Sequence, residues 1–136
     1  MTYIFDASAL LAFYKDENGS DKIETLLDEA VSGQSIIYMN IINLIEVYYL
    51  FLRTFGKDKA NILLEEIHEF PISIIETIDT VIFSETSRLK AKYSIPLGDS
   101  IGLATAIKLN GTFVTADHND FEEIEKTEKL SFFWFR

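Results

Sequence analysis

The chain has 136 residues, no cysteine, and 12 Lys and Arg against 22 Asp and Glu, which gives a formal net charge of −10 at pH 7. This length suits one domain over residues 1–136, and the lack of cysteine excludes disulfides and thiolate metal sites. The acidic balance argues against a nucleic-acid binder that relies on a basic surface alone, so any protein of this composition that contacts nucleic acid would need bound divalent cations, a local basic patch or a basic partner.

The predicted elements begin with a strand at 3–5 and alternate between short apolar runs and longer helical patterns. Each apolar run is continuous rather than alternating, which is typical of parallel strands covered on both faces. The later elements are helices at 7–15 and 20–32, a strand at 36–39, helices at 40–55 and 58–69, a strand at 72–75, helices at 79–93 and 99–109, and strands at 112–115 and 132–135. This order predicts an α/β fold, a three-layer α/β/α sandwich around a central, mostly parallel sheet of about five strands.

The apolar segments of the sequence predict neither a signal peptide nor a membrane span. The N-terminal stretch lacks a basic start and places Asp6 where the apolar core of a signal peptide should continue. The region from Ile36 to Leu52 is interrupted by Asn40, Asn43 and Glu46, whereas a membrane span needs about 20 apolar residues. We therefore expect a soluble, cytoplasmic protein with no membrane segment.

Four acidic residues lie where a ligand site is expected in such a fold. Ligands of open α/β sheets bind beyond the carboxyl ends of the strands. Asp6 follows the first predicted strand, Asp117 follows the fourth, and the helix that carries Glu46 follows the second. Asp99 opens the helix that precedes the fourth strand. We expect these four carboxylates to gather at one rim of the sheet.

Each of these acids also has a simpler interpretation. Asp6 and Asp99 occupy positions where Asp caps helices, and Asp117 is compatible with a turn. Glu46 falls with the polar residues of its helix in a sector about 140° wide, as on a solvated stripe.

Two further residues near Asp117 rank second. Asp120 precedes Glu123 by three residues, a capping-box-like spacing that would make Asp120 a helix cap. His118 is expected to be a loop residue near the rim.

Carboxylates brought together at a rim would favour a hard cation. At about 4 Å apart, two carboxylates repel by roughly 4 kcal/mol at an effective dielectric near 20, so the cluster would take up protons unless a cation bound. Oxygen ligands favour Mg²⁺ or Mn²⁺. With two histidines and no cysteine, a His-rich or thiolate zinc site is excluded.

Three segments together resemble the PIN-domain nucleases, most closely the VapC-type toxins of toxin–antitoxin pairs. They are YIFDASALLAF, NLIEVYY and IPLGDSIGLATAIKLNGTFVTADHNDF, which together extend from Tyr3 to Phe121. The resemblance implies catalytic, metal-binding roles for four acids: Asp6, Glu46, Asp99 and Asp117. It implies Mg²⁺, with Mn²⁺ as a substitute, and supporting roles for Ser8, Asn40, Thr115 and Asp120, with Asn40 standing where the family often has Ser or Thr.

The resemblance further implies a metal-dependent endoribonuclease and its partners. Activated water would cleave an RNA phosphodiester to leave a 5′-phosphate and a 3′-hydroxyl. A small antitoxin or a second copy would cover the apolar surface of the Glu46 helix, which is richer in apolar residues than one core needs: Tyr48, Tyr49, Phe51 and Leu52. Burial of that helix between layers is the alternative. Arg88 and Lys92 share a helix face suited either to phosphate contacts or to simple solvation.

Rival functions are less compatible with the sequence. A phospho-receiver domain needs two adjacent acids after its first strand, and a haloacid-dehalogenase-like phosphatase needs a second Asp two residues after its nucleophile, where this chain has Ser8. A catalytically silent PIN-like module that binds protein or RNA remains the alternative.

Overall fold

The computed structural model describes residues 1–136 and contains all five predicted strands and all six predicted helices, plus a seventh helix. The elements are β1 (Thr2–Phe5), α1 (Ala7–Tyr14), α2 (Ser20–Val31), β2 (Ile36–Asn40), α3 (Ile41–Phe55), α4 (Lys57–Glu69), β3 (Ile72–Ile75), α5 (Thr80–Lys92), α6 (Leu97–Leu109), β4 (Thr112–Thr115), α7 (His118–Thr127) and β5 (Ser131–Trp134). The predicted boundaries differ most at α6, which begins at Leu97 rather than at residue 99.

The five strands form one parallel sheet in the order β3-β2-β1-β4-β5. This confirms the predicted fold class. Phe5, the last residue of the central strand β1, pairs with Met39 of β2 on one side and Val114 of β4 on the other. The strand order reverses direction between β1 and β4, which makes the carboxyl ends of these two strands the expected ligand site.

Helices cover both faces of the sheet because β1 sends alternate side chains to opposite sides. Tyr3 and Phe5 pack into a core built with α1 to α4. Ile4 packs into a second core built with α5, α6 and α7. The result is the predicted three-layer sandwich, with β1 and β4 buried at its centre.

Helix α6 is the most deeply buried helix, with every residue from Ser100 to Ala106 buried. Its small residues permit this close packing: a Cβ on Gly102 would lie 3.0 Å from the ring of Phe113 and 3.2 Å from Asn43 Oδ1. Tight packing of α6 against the sheet and α3 fixes the position of the α6 N-terminus at the rim. None of the helices has the length and apolar character that a membrane crossing requires.

Candidate active site

Asp6 lies directly after β1 and is 5% exposed. Its Oδ1 accepts hydrogen bonds from Ser8 Oγ at 2.6 Å and from the backbone N–H of Ala9 at 3.1 Å. Asp6 is therefore the N-cap of α1, which was the simpler of its two interpretations. Its Oδ2 accepts from Thr115 Oγ1 at 2.6 Å. Burial raises the pKa of Asp6 to about 6, and the three hydrogen bonds oppose that rise. The hydroxyls of Ser8 and Thr115 therefore hold this carboxylate in one orientation.

Asp117 follows β4 and is joined to Asp6 through Thr115. The Asp117 backbone N–H donates to Thr115 Oγ1 at 3.1 Å, so the Thr115 hydroxyl links the carboxyl ends of the neighbouring strands β1 and β4. Asp117 is the N-cap of α7, and its Oδ1 accepts from the Asp120 backbone N–H at 3.1 Å.

The expectation that Asp120 is itself a cap is wrong. Helix α7 begins at His118, immediately after Asp117, which puts Asp120 in its first turn. The expectation that His118 is a loop residue is wrong for the same reason. The chain turns into a helix as soon as β4 ends, because the side chain of Asp117 supplies the cap.

Asp99 does not cap α6, contrary to its simpler interpretation. The N-cap is Pro96, and the helix starts at Leu97, so Asp99 lies in the first turn with its carboxylate directed to the rim. Oxygens of Asp99, Asp117 and Asp120 lie within 4.8 Å of one another. We call these three residues the acidic trio.

The acidic trio is strained electrostatically when no cation is bound. Burial raises the pKa of Asp99 to about 9, with contributions from the hydrogen bond and charge of Asp120 and from the charges of Asp6 and Asp117. Burial also raises the pKa of Asp117, and the charge of Asp120 adds to this effect. Asp99 therefore keeps a proton at neutral pH unless positive charge compensates the cluster.

Glu46 reaches the same rim from α3. Its Oε1 accepts from Asn43 Nδ2 at 3.0 Å, and the same amide donates to the Gly98 carbonyl at 3.0 Å. A Cβ added to Gly98 would overlap the Glu46 carboxylate, which therefore lies against the backbone next to Asp99. Burial raises the pKa of Glu46. The solvated-stripe interpretation is wrong, because Asn43 on that stripe is 1% exposed.

Asn40 was expected to support the acids, but its amide is engaged elsewhere. It caps α3, with Oδ1 accepting from the Ile42 backbone N–H at 2.9 Å, and its Nδ2 donates to Thr105 Oγ1 at 3.1 Å. Because both ends of the buried amide have these partners, Asn40 joins α3 to α6 and makes no hydrogen bond to an acid.

Arg88 and Lys92 do not lie free for phosphate. Both bind Glu128, Arg88 at 2.8 Å and Lys92 at 3.2 Å, which lowers the pKa of Glu128 to about 2. Glu128 follows the C-terminal end of α7, whereas the acidic trio lies at the other end of that helix. These two basic residues therefore tie α5 to α7.

Sequence reasoning placed Asp120 among the supporting residues, whereas its carboxylate lies beside those of Asp99 and Asp117, and it did not single out Asn43. Asp120 lies three residues after Asp117, and Asn43 lies three residues before Glu46, so within or beside a helix each pair shares a face. The spacing was visible in the sequence, but for Asp120 it becomes informative only once the start of α7 is known.

The residues at the rim fit a divalent cation. The donors are carboxylate oxygens alone, as Mg²⁺ and Mn²⁺ prefer, and three of them already lie within 4.8 Å of one another. Burial, and after it the charges of neighbouring acids, raises the pKa of Asp99 and of Asp117, and a cation at the cluster would stabilise the charged form of both.

The fold is shared with several solved toxin–antitoxin structures. VapBC2 from Rickettsia felis, bound to a DNA fragment from its promoter, matches with a TM-score of 0.75 and 19% identity over 98% of each chain. VapBC-1 from nontypeable Haemophilus influenzae matches with a TM-score of 0.75 and 15% identity over 99% of this chain and 98% of the other. VapC20 from Mycobacterium tuberculosis, a toxin that cleaves the sarcin–ricin loop, has a TM-score of 0.64 and 12% identity over 89% of this chain and 94% of the other.

Sequence comparison gives the family directly. No curated protein matches the chain. The family model of the PIN domain matches residues 3–127, which include β4, all of β1 except Thr2, and all the acids at the rim. The chain therefore belongs to the PIN-domain family.

Proposed function

We propose that this protein is a metal-dependent endoribonuclease that hydrolyses RNA phosphodiester bonds. The observation that carries the proposal is the acidic trio, with Asp6 and Glu46 beside it, at the strand ends of a PIN-domain fold. A site for Mg²⁺, with Mn²⁺ as a substitute, would be formed by Asp6, Glu46, Asp99 and Asp117, and the proximity of Asp120 adds it to this set.

When bound at these acids, such an ion would lower the pKa of a water molecule to near neutral and would stabilise the charge that develops on the attacked phosphate. The protein's own residues prepare the site for this. Ser8 and Thr115 fix the Asp6 carboxylate, and Asn43 fixes Glu46 against Gly98. The proton that Asp99 holds at neutral pH must leave when the carboxylate becomes a ligand, so cation binding tightens as pH rises. Hydrolysis leaves a 5′-phosphate and a 3′-hydroxyl.

We also propose that the chain is the toxin of a toxin–antitoxin pair. The solved structures that share its fold include VapBC complexes, and one neighbour is described as a toxin that cleaves the sarcin–ricin loop. The proposal therefore extends to this chain a partner that its structural neighbours have.

The outer surface of α3 offers a place for such a partner. Ile45 is 50% exposed and Tyr49 is 42% exposed. Beside them lies an apolar groove of about 190 Å³ between α3 and α4, lined by Ile41, Leu44, Ile45, Tyr48 and Leu64. These contacts support an antitoxin segment, with a homodimer as the alternative occupant.

Part of the expected docking surface belongs to the core instead. Phe51 is 8% exposed, and Leu52 packs against the same core. The alternative in which α3 is buried between layers is also wrong, because Ile45 and Tyr49 are exposed. Co-expression with any small protein encoded next to this chain, followed by purification and sizing, tests the pairing. A stable, monomeric and active chain encoded without such a neighbour would contradict it.

Cleavage of structured RNA by the purified protein tests the nuclease proposal. We expect cutting with Mn²⁺ or Mg²⁺, none with chelator, and a loss of at least about 100-fold for Asp6→Asn. Asp28→Asn, an exposed change on α2, is the matched control and should cut like the wild type. Equal cutting by Asp6→Asn, or cutting in chelator, would contradict the assignment. RNA binding without any cutting would favour the catalytically silent PIN-like module.

A further inference from the structure

Three aromatic rings form a continuous stack beside the acidic trio. The rings of Phe132 and Trp134 are 5.3 Å apart between centroids with an interplanar angle of 14°, and those of Trp134 and His118 are 4.2 Å apart at 15°. Phe132 and Trp134 are alternate residues of β5, so their side chains lie on the same face of the sheet. We call this set the aromatic stack.

The outer end of the aromatic stack adjoins the candidate active site. Trp134 pairs with Thr115 in the sheet, and the hydroxyl of Thr115 bonds Asp6. His118 directly follows Asp117, a member of the acidic trio. The Cα atom of His118 therefore lies about 3.8 Å from that of Asp117.

The His118 ring is held in place but remains exposed. Its Nε2 donates to the carbonyl oxygen of Arg136 at 2.8 Å, and its only aromatic neighbour is Trp134. Trp134 is itself fixed, because its Nε1 donates to Glu125 Oε2 at 2.8 Å. His118 as a whole is exposed to solvent. A planar ligand that stacks on this ring would meet a preorganised surface, so little side-chain entropy would be lost.

The charges of the protein make a stacking contact more valuable. The formal net charge is −10, and Arg88 and Lys92 already bind Glu128. The net charge of the protein therefore gives no overall attraction to the phosphate backbone. Base stacking on an aromatic ring supplies affinity that needs no positive charge and tolerates any base.

We infer that His118 is the exposed end of a stacking platform for a nucleobase of the RNA substrate, next to the phosphate held at the acidic trio. The inference rests on the proposed nuclease function and specifies how the substrate is positioned. His118 is a positioning residue in this role, because it contacts the base and not the reacting atoms. Trp134 and Phe132 support it from behind.

A purely structural role for the stack makes a different prediction. If His118 only packed α7 against β5, its removal would change stability and would not distinguish an RNA with bases from one without. Binding of a ten-nucleotide oligoadenylate and of an abasic ribose-phosphate oligomer of the same length, by fluorescence anisotropy with Ca²⁺ in place of Mg²⁺, separates the two roles.

We expect the wild type to bind oligoadenylate more tightly than the abasic oligomer. His118→Ala should weaken oligoadenylate binding by about 5- to 150-fold and leave abasic binding unchanged. His118→Phe keeps an aromatic ring and should retain binding within about 3-fold of the wild type. His68→Ala, at the other exposed histidine of the chain, near the C-terminal end of α4, is the matched control and should bind like the wild type.

Parallel cleavage assays separate failure of this inference from failure of the proposed function. In cleavage, His118→Ala should raise KM more than it lowers kcat. Equal affinity of the wild type for the two oligomers, or equal binding by His118→Ala and His68→Ala, would overturn the inference even if the wild type cuts RNA with Mn²⁺. A wild type that cuts no RNA with any divalent ion would overturn the proposed function, and with it the inference.

Discussion

Replacement of Asp99 by asparagine should remove most of the pH dependence of the stability of the metal-free protein between about pH 6 and pH 8. The pKa of Asp99 is raised from 3.8 to about 9 in the folded protein. Throughout this pH range the folded state therefore binds a proton at Asp99 that the unfolded state has released. The free energy of unfolding must fall as pH rises from near the unfolded pKa to the folded one.

The size of the effect follows from the linkage relation and the exposure of the site. One proton of difference is worth at most about 1.4 kcal/mol per pH unit, or about 2.7 kcal/mol across two units. Asp99 is partly exposed, and solvent screening reduces this to about 1–1.5 kcal/mol. For a domain of this size the melting temperature should fall by about 3–6 °C.

Thermal unfolding followed by circular dichroism in chelator at about pH 6, 7 and 8 measures this slope. The wild type and the surface control Asp28→Asn should both lose stability as pH rises, and Asp99→Asn should remain nearly flat. Asp6, whose pKa is raised to about 6, contributes to the pH dependence of stability mainly below this pH range. Addition of Mn²⁺ should stabilise the wild type more at high pH than at low pH. A flat wild-type profile in chelator, or an Asp99→Asn profile as steep as the wild type, would refute the reasoning.

Three other substitutions separate the roles of the residues around the rim. Gly98→Ala should displace the Glu46 carboxylate and lower RNA cleavage by about 10-fold while the melting temperature changes by less than about 3 °C, because the end of a flexible side chain can move. Asn40→Ala should destabilise the fold by about 1–3 kcal/mol in urea unfolding, since it removes a helix cap and leaves Thr105 without its amide donor. Phe121→Ala should cost about 3–5 kcal/mol in the same assay because Phe121 is fully buried; a cost below about 1 kcal/mol would contradict the packing described.

The fold was predictable because the sheet is buried on both faces. Continuous apolar runs such as 36–39 and 112–115 are typical of parallel strands covered on both faces, and the helical periods between them set the layer order. Helix α7 was missed because its sequence is mostly polar, with Phe121 and Ile124 as its only buried residues. Two apolar positions give too little periodicity to distinguish a short surface helix from a loop.

The site was only partly predictable, because its details depend on where helices start. Asp99 resembles a cap in the sequence, since Gly98 before it reads as a break. In the structure α6 begins at Leu97, and the carboxylate is left free of capping. Asp120 joins the acidic trio only because Asp117 caps α7. The local sequence did not distinguish a helix cap at Asp117 from a turn residue. Shifts of one or two residues in where a helix starts depend on tertiary packing and not on local propensity.

The hydrogen bond from Thr115 to Asp6 joins residues 109 positions apart, and it ties the first strand to the fourth. During synthesis on the ribosome the N-terminal strand emerges first, and β4 follows only after four-fifths of the protein has been made. A nascent chain that stops short of β4 has Asp6, Glu46 and Asp99 but neither Asp117 nor Asp120. The order of the strands therefore leaves the acidic trio incomplete until most of the chain has been made.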